Sequence, residues 1–277
     1  MALRINTNVT AINVQRNLTI TNRNLSKSLE RLSTGYRINK AADDAAGFAV
    51  ANTFKAKIAS LRVAYQNATE SNSMLQVADG AFHEIENILV RMKELATQAA
   101  GDQITNDERN LLQTEFKQLQ NELDRIAQTS QYNGVNLVYS AVSGTIGFTF
   151  QIGAENVARD QIAVQLDAVS TAALRVNTSS ISSLASAQIA MTSIDDALKS
   201  INTYMAKIGA YQNRLQHTMD NLNIMIENYA ASESAIRDAD MAFEVTQFTK
   251  NQILQQSGMA MLAQANAAPQ QILQLLG

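Results

Sequence analysis

The sequence predicts a mainly α-helical protein, a long antiparallel coiled-coil rod with a small β-hairpin region and paired terminal helices. Three observations predict it. A heptad spacing persists through much of the C-terminal half, the single proline is Pro269, and aromatic residues make up only 5% of the 277 residues, with no tryptophan. An interior proline removes a backbone hydrogen bond and clashes with the preceding turn, so its scarcity suits long helices. Few large rings suit narrow helix–helix seams.

The clearest element comes late in the chain. Ile194, Leu198, Ile201, Met205, Ile208, Gln212, Leu215, Met219, Leu222, Ile226 and Tyr229 follow alternating spacings of four and three, apolar everywhere except Gln212. That is a coiled-coil seam. It predicts a helix over about 180–232, roughly 75–80 Å long at 1.5 Å per residue.

A second long helix is predicted over about 44–100. Phe54, Ile58, Leu61, Tyr65, Ala68 and Leu75 give a partial seam, resumed by Phe82, Ile85, Leu89, Met92 and Leu95. Gly101-Asp102 breaks it, and Thr105-Asn106-Asp107 can cap a third helix over about 104–130. Leu112, Phe116, Leu119, Leu123 and Ile126 form its stripe, which ends near Asn133-Gly134.

From about 135 to 167 the period falls to two. Phe148, Phe150 and Ile152 alternate with small or polar residues, as do Ile162, Val164 and Leu166, and Gly144, Gly147 and Gly153 punctuate the stretch. Two or three short strands forming a hairpin are expected. A lone hairpin is marginal in water, so it should pack on the helices.

The two ends are alike in character. Leu18, Leu25, Leu29, Leu32 and Tyr36 give an interrupted heptad stripe, and Met241, Val245, Phe248, Met259 and Leu262 give another, with Gln252 and Gln255 inside it. No charged residue occurs from Asn251 to Gly277. Such a helix should be disordered or sticky alone and ordered once buried. With a central turn between long helices, the chain should run out and return, bringing both termini to one end.

The formal net charge is −3 and the sequence pI about 5.5, which gives no overall attraction to nucleic acid or to an acidic membrane. Residues 1–40 are locally basic, with Arg4, Arg16, Arg23, Lys27, Arg31, Arg37 and Lys40 against Glu30 alone. A solvated helix face explains this better than nucleic-acid binding does, and a partner surface of opposite sign is a third reading. The absence of cysteine excludes disulfides, thiolate zinc sites and thiol catalysis. The N-terminus lacks the apolar core of a cleavable signal, and no stretch approaches a membrane-spanning helix, so no membrane insertion is expected.

Candidate chemistry is sparse. His83-Glu84 is followed by Asn87, where a zinc-peptidase helix needs a second histidine, and His217 belongs to another helix. Met191, Met205, Met219, Met225, Met259 and Met261 sit at or near helical stripes as packing groups. The carboxylates are scattered. No enzyme activity, metal or cofactor is expected.

Long motifs at both ends resemble bacterial flagellin, in a minimal form without the large variable outer domains. They are the opening Met-Ala-Leu-Arg-Ile-Asn-Thr-Asn, the stretch from Glu30 through Arg-Leu-Ser-Thr-Gly-Tyr-Arg-Ile-Asn-Lys-Ala-Ala-Asp-Asp-Ala-Ala to Gly47, and Gln131-Tyr-Asn-Gly134. The end matches too, from Gln252-Ile-Leu-Gln-Gln through Leu262-Ala-Gln-Ala-Asn266 to Ile272-Leu-Gln-Leu-Leu276. The resemblance covers nearly all of the chain outside roughly 135–190.

The resemblance implies a structural subunit that polymerises with itself into the flagellar filament used for swimming. Residues 1–33 and 235–277 would form an inner tube, 34–44 a connecting spoke and 45–234 an outer-tube domain. Arg37, Asn39, Asp43 and Asp44 fall in the spoke, where the two carboxylates also suit a helix start stabilised by the helix dipole. Export would be in unfolded form through the flagellar secretion channel, with an export chaperone holding the tail. Phe248, Ile253, Leu254, Met259, Leu262, Ile272 and Leu273 would serve assembly and chaperone binding. Filament-cap and hook-junction proteins would be further partners. A hook–filament junction protein shares the terminal helices, but the full C-terminal motif favours the filament subunit. Leu89, Arg91, Leu95 and Glu115 match a site by which an animal Toll-like receptor detects some flagellins, although Leu119 stands where the responsive pattern is basic. Leu89 and Leu95 are equally seam residues, and Arg91 and Glu115 a solvated pair.

Overall fold

A computed structural model describes residues 7–139 and 144–276, with side chains through 267. It contains α1 (Val9–Thr34), α2 (Ala45–Ala99), α3 (Asn106–Thr129), β1 (Gln131–Tyr132), β2 (Val135–Asn136), β3 (Thr145–Gln151), β4 (Gln161–Asp167), α4 (Leu184–Arg237) and α5 (Met241–Leu276). The fold is mainly helical, with α1 paired to α5, α2 to α4, and a small antiparallel β region. The chain divides into two compact units, Met1–Ile58 with Glu227–Gly277, and Ala59–Ile226. The division falls inside α2 and α4, deeper than the edges at 44 and 235 suggested by the motifs.

In the Ala59–Ile226 unit the α4 seam carries the core. Ile194, Ile201, Ile208, Leu215, Met219 and Leu222 are buried, facing Leu75, Phe82, Ile85, Leu89, Met92 and Leu95 of α2 and Phe116 and Leu123 of α3. The Phe82 and Tyr204 rings meet at 6.2 Å, and Lys93 pairs with Asp195 at 2.5 Å, fixing α2 antiparallel to α4. The α4 helix spans Leu184–Arg237 rather than 180–232. It starts later because the Ser183 hydroxyl accepts the Ser186 N–H while Ile181 is buried in the preceding loop. It runs on through Ala230-Ala-Ser-Glu-Ser-Ala-Ile236, where nothing breaks a helix.

The anticipated cap at Thr105 is a capping box. The Thr105 hydroxyl accepts the Glu108 N–H at 3.3 Å, and Glu108 accepts the Thr105 N–H at 2.7 Å, which holds its carboxyl below the ordinary range. Buried Arg109 donates to the carbonyls of Ala99 and Gly101, satisfying the orphan acceptors at the end of α2.

The β region differs from a single hairpin. Asn133 and Gly134, both at positive φ, close a two-residue hairpin between β1 and β2, the geometry that favours Asn-Gly. Separately, β3 and β4 pair in register, with Ile146, Phe148 and Phe150 opposite Leu166, Val164 and Ile162. The β4 side chains of that face are buried in the core. The irregular segment after β4 is held by polar side chains of α3. Asp124 accepts the Thr171 N–H and hydroxyl, Gln120 donates to Val176 and Ser179 carbonyls, and Gln113 accepts the Ile181 N–H.

Phe116 is fully buried, so Phe116→Ala should lower stability by about 3–5 kcal/mol. Exposed Val63→Thr should change it by less than about 0.5 kcal/mol. Urea denaturation followed by circular dichroism checks both.

Candidate assembly surface

The terminal helices form an antiparallel pair with a narrow seam. Its register is fixed at three points. Asn8 donates to the Ala265 carbonyl at 2.7 Å, Leu18 packs over Gly258, and Arg31 pairs with Glu244 at 3.5 Å. A Cβ on Gly258 would lie 2.9 Å from Leu18 Cδ2, so this contact requires the missing side chain.

On α1 the seam is Ala11, Val14, Leu18, Thr21, Leu25, Ser28 and Leu32, all half-buried except Ser28, which is buried. On α5 it is Glu244, Phe248, Asn251, Gln255, Gly258, Leu262 and Ala265. Both runs alternate threes and fours as heptads require. Their composition is small and polar for a coiled coil.

The expected stripes are corrected here by one residue on one flank. Leu29 is 53% exposed and Ser28 takes its place; Val245 and Met259 are 50% and 54% exposed, and Glu244 and Gly258 take theirs. Asn251 likewise replaces Gln252. Each helix therefore turns a mixed flank to its partner, in which Leu18, Leu25, Leu32, Phe248 and Leu262 alternate with small or polar residues. Further large apolar side chains face outward, among them Val9, Ile12, Ile20, Phe243, Ile253, Leu254 and Met261. Exposed apolar side chains in this number on one helix pair suit an interaction site.

Of the tail residues singled out, Phe248 and Leu262 are half-buried in the seam, while Ile253, Leu254 and Met259 are open. The side chains of Ile272 and Leu273 lie outside the described residues, as does Arg4.

The 34–44 segment is built from backbone pairing. Gly35, at φ 74°, caps α1, and its carbonyl accepts the Ala239 N–H at 2.9 Å, while the Arg37 N–H donates to the Arg237 carbonyl at 2.7 Å. The Arg37 guanidinium donates to the Ile236 carbonyl, and Asn39 to the Tyr36 carbonyl. Asp44 accepts the Gly47 N–H and so caps α2. Asp43 accepts the N–H groups of Asn39 and Lys40 and pairs with Lys27 at 2.7 Å. That Lys27 bond, with help from the two backbone donors, holds the Asp43 carboxyl below its ordinary range against the opposing effect of burial. The Arg237 guanidinium lies 4.2 Å from the Tyr36 ring centre and 6.0 Å from that of Phe48, a cation–π clasp that no sequence spacing announced.

The residues matching a receptor site are split by the fold. Leu89 and Leu95 are buried in the core and offer no surface to a partner while the fold is intact. Arg91 and Glu115 are exposed and bonded to each other at 2.9–3.0 Å, with Glu94 as a further acceptor.

His83 lies 3.9 Å from Asp79 and 3.6 Å from Glu86 on the surface of α2, and among the described residues no three His, Asp or Glu side chains converge on a metal-sized site. No described helix is long and apolar enough to cross a membrane.

These features define a helical structural protein whose terminal pair leaves its larger apolar groups for other molecules. Residues 5–141 match the bacterial flagellin N-terminal helical region, and residues 191–276 match the bacterial flagellin C-terminal helical region. The chain is 41% identical to a flagellin of Halalkalibacterium halodurans over 275 residues, covering 98% of this chain and 99% of that one. It is 40% identical over 285 residues to a flagellar filament 33 kDa core protein of Treponema phagedenis, with 98% and 99% covered. The crystal structure of Bacillus cereus flagellin matches with a TM-score of 0.49 at 29% identity, over 57% of this chain and 88% of that one. The chain belongs to the bacterial flagellin family: it is a structural, non-enzymatic filament subunit of the extracellular flagellum.

Because the Asp43 carboxyl is held low, its contribution is present above about pH 4 and is lost as pH falls through the folded value. Protection factors across residues 35–44, taken against the intrinsic exchange rate at each pH, should therefore fall on acidification. Asp43→Asn should show low protection factors already at neutral pH and little further change in acid.

Proposed function

We propose that the α1–α5 pair, residues 1–33 and 235–277, forms the inner tube of the filament and residues 45–234 the outer tube, with the 34–44 segment, including Arg37, Asn39, Asp43 and Asp44, as the spoke. The observation that carries this is the outward flank of Val245, Ile253, Leu254 and Met259 on α5, together with Val9, Ile12 and Ile20 on α1. These groups gain burial only from further copies. The charge-free stretch after Lys250 supports the same conclusion, since no ionic group there opposes transfer into a packed neighbour.

The same tail is a hazard before assembly. An amphipathic helix from Phe248 onward, through Ile253, Leu254, Met259, Leu262, Ile272 and Leu273, suits the apolar groove of an export chaperone, which would hold it until passage through the secretion channel. The filament-cap and hook-junction proteins would meet the subunit through this terminal surface. Any contact with an animal Toll-like receptor would rest on Arg91 and Glu115, because Leu89 and Leu95 are enclosed.

Ile253→Gln with Met259→Gln tests the proposal. Each site is more than half exposed in the single chain, so monomer helicity should not change. Burying such a side chain contributes about 1.5–3 kcal/mol, so the critical concentration for elongating filament seeds should rise about tenfold or more. Unchanged elongation by a normally helical monomer contradicts it.

A further inference from the structure

The outward face of α1, directly opposite its seam, carries Val9, Arg16, Arg23 and Glu30 at heptad spacing, flanked by exposed Ile12 and Ile20. Among the described residues, three of the basic side chains of the N-terminal segment are paired with acids inside the chain. Lys27 pairs with Asp43, Arg31 with Glu244 and Lys40 with Glu30, and Arg37 donates to a backbone carbonyl. Arg16 and Arg23 are different. Both are exposed, and among the described residues neither has a carboxylate within ion-pair distance.

An arginine flanked by isoleucines destined for burial needs an acid, because an unpaired buried charge is strongly unfavourable. No stretch of α5 beyond Lys250 can provide one. The acids left without a basic partner in the Met1–Ile58/Glu227–Gly277 unit include Asp238 and Asp240, at the break between α4 and α5. Among the described residues the Asp238 carboxylate accepts the Ser234 hydroxyl alone, and Asp240 the Phe243 N–H alone as its helix cap, so each keeps acceptor capacity.

The geometry points to an ionic contact between copies: the Arg16–Arg23 stripe of one subunit docks on the Asp238–Asp240 break of a second copy. Tyr36 bridges Asp238 within one chain, so Arg23 and Arg16 lie 13 and 20 residues back along α1 from that level. At 1.5 Å per residue, the contact requires neighbouring copies to be displaced along the helix axis by roughly 20–30 Å. The charge match sets that stagger, and the apolar flanks then close around it. This contact rests on the filament assignment and specifies one of its interfaces.

Seeded elongation of the full chain tests it with three variants. Arg16→Glu with Arg23→Glu, and separately Asp238→Lys, should each raise the critical concentration at least about tenfold with monomer helicity unchanged, since all three side chains face solvent. Asp240 is left intact because it caps α5. The chain carrying all three substitutions restores opposite charge across the contact and should elongate its own seeds at a critical concentration well below that of either parent. Normal elongation by the Arg16→Glu/Arg23→Glu chain, or a combined chain no better than its parents, overturns the contact while leaving the filament assignment intact. Failure of the unsubstituted chain to elongate seeds overturns both.

Discussion

The structure depends on an unusual division of labour in the α1–α5 seam. Two helices of a coiled coil ordinarily bury their largest apolar side chains against each other. Here Ser28, Thr21, Asn251, Gln255 and Gly258 share the contact with Leu18, Leu25, Leu32, Phe248 and Leu262, and Leu29, Val245, Ile253 and Met259 lie outside it. The pairing within one chain is therefore weak in apolar burial but specific in register, with the Arg31–Glu244 ion pair and the Leu18–Gly258 approach as its markers. A filament subunit gains from this arrangement, because a pair that is only marginally satisfied alone is driven to add to an existing lattice.

The Ala59–Ile226 unit is the counterpart. Its seam is apolar at nearly every heptad position, its helix starts and ends are capped by Thr105, Glu108 and Arg109, and its irregular segment is held by Asp124, Gln120 and Gln113. Each of these side chains finds hydrogen-bond partners within the chain, and of Gln120 only the buried Oε1 has none among the described residues. Between α1 and α2, the 34–44 segment is ordered by hydrogen bonds to 236–239, by the Arg237 clasp and by the burial of Ile38. Its order consequently depends on ionisation and backbone geometry as well as on burial.

The long helices were legible because heptads survive in the sequence whatever the neighbours are. The Thr105 cap was legible for the same reason, being local chemistry. The phase of the terminal stripes was not. Choosing the larger apolar residue at these steps selects the exposed flank, so Met259 is preferred to Gly258 and Leu29 to Ser28. Nor could spacing reveal the β1–β2 hairpin as separate from β3–β4, since Gln131-Tyr-Asn-Gly134 follows a helical stripe without a visible break. The α3 clamps were missed because Gln113, Gln120 and Asp124 look like ordinary solvated positions. The buried state of Leu89 and Leu95 was already implied by their place in the α2 seam.

The most direct measurement is amide hydrogen exchange of α1 and α5 in the monomer at low concentration and in the assembled filament. Weak protection of both helices in the monomer, rising by orders of magnitude on assembly while the Ala59–Ile226 core is protected throughout, is the result the account requires. Strong protection of α1 and α5 in the isolated monomer would contradict it, because the internal seam alone would then be sufficient.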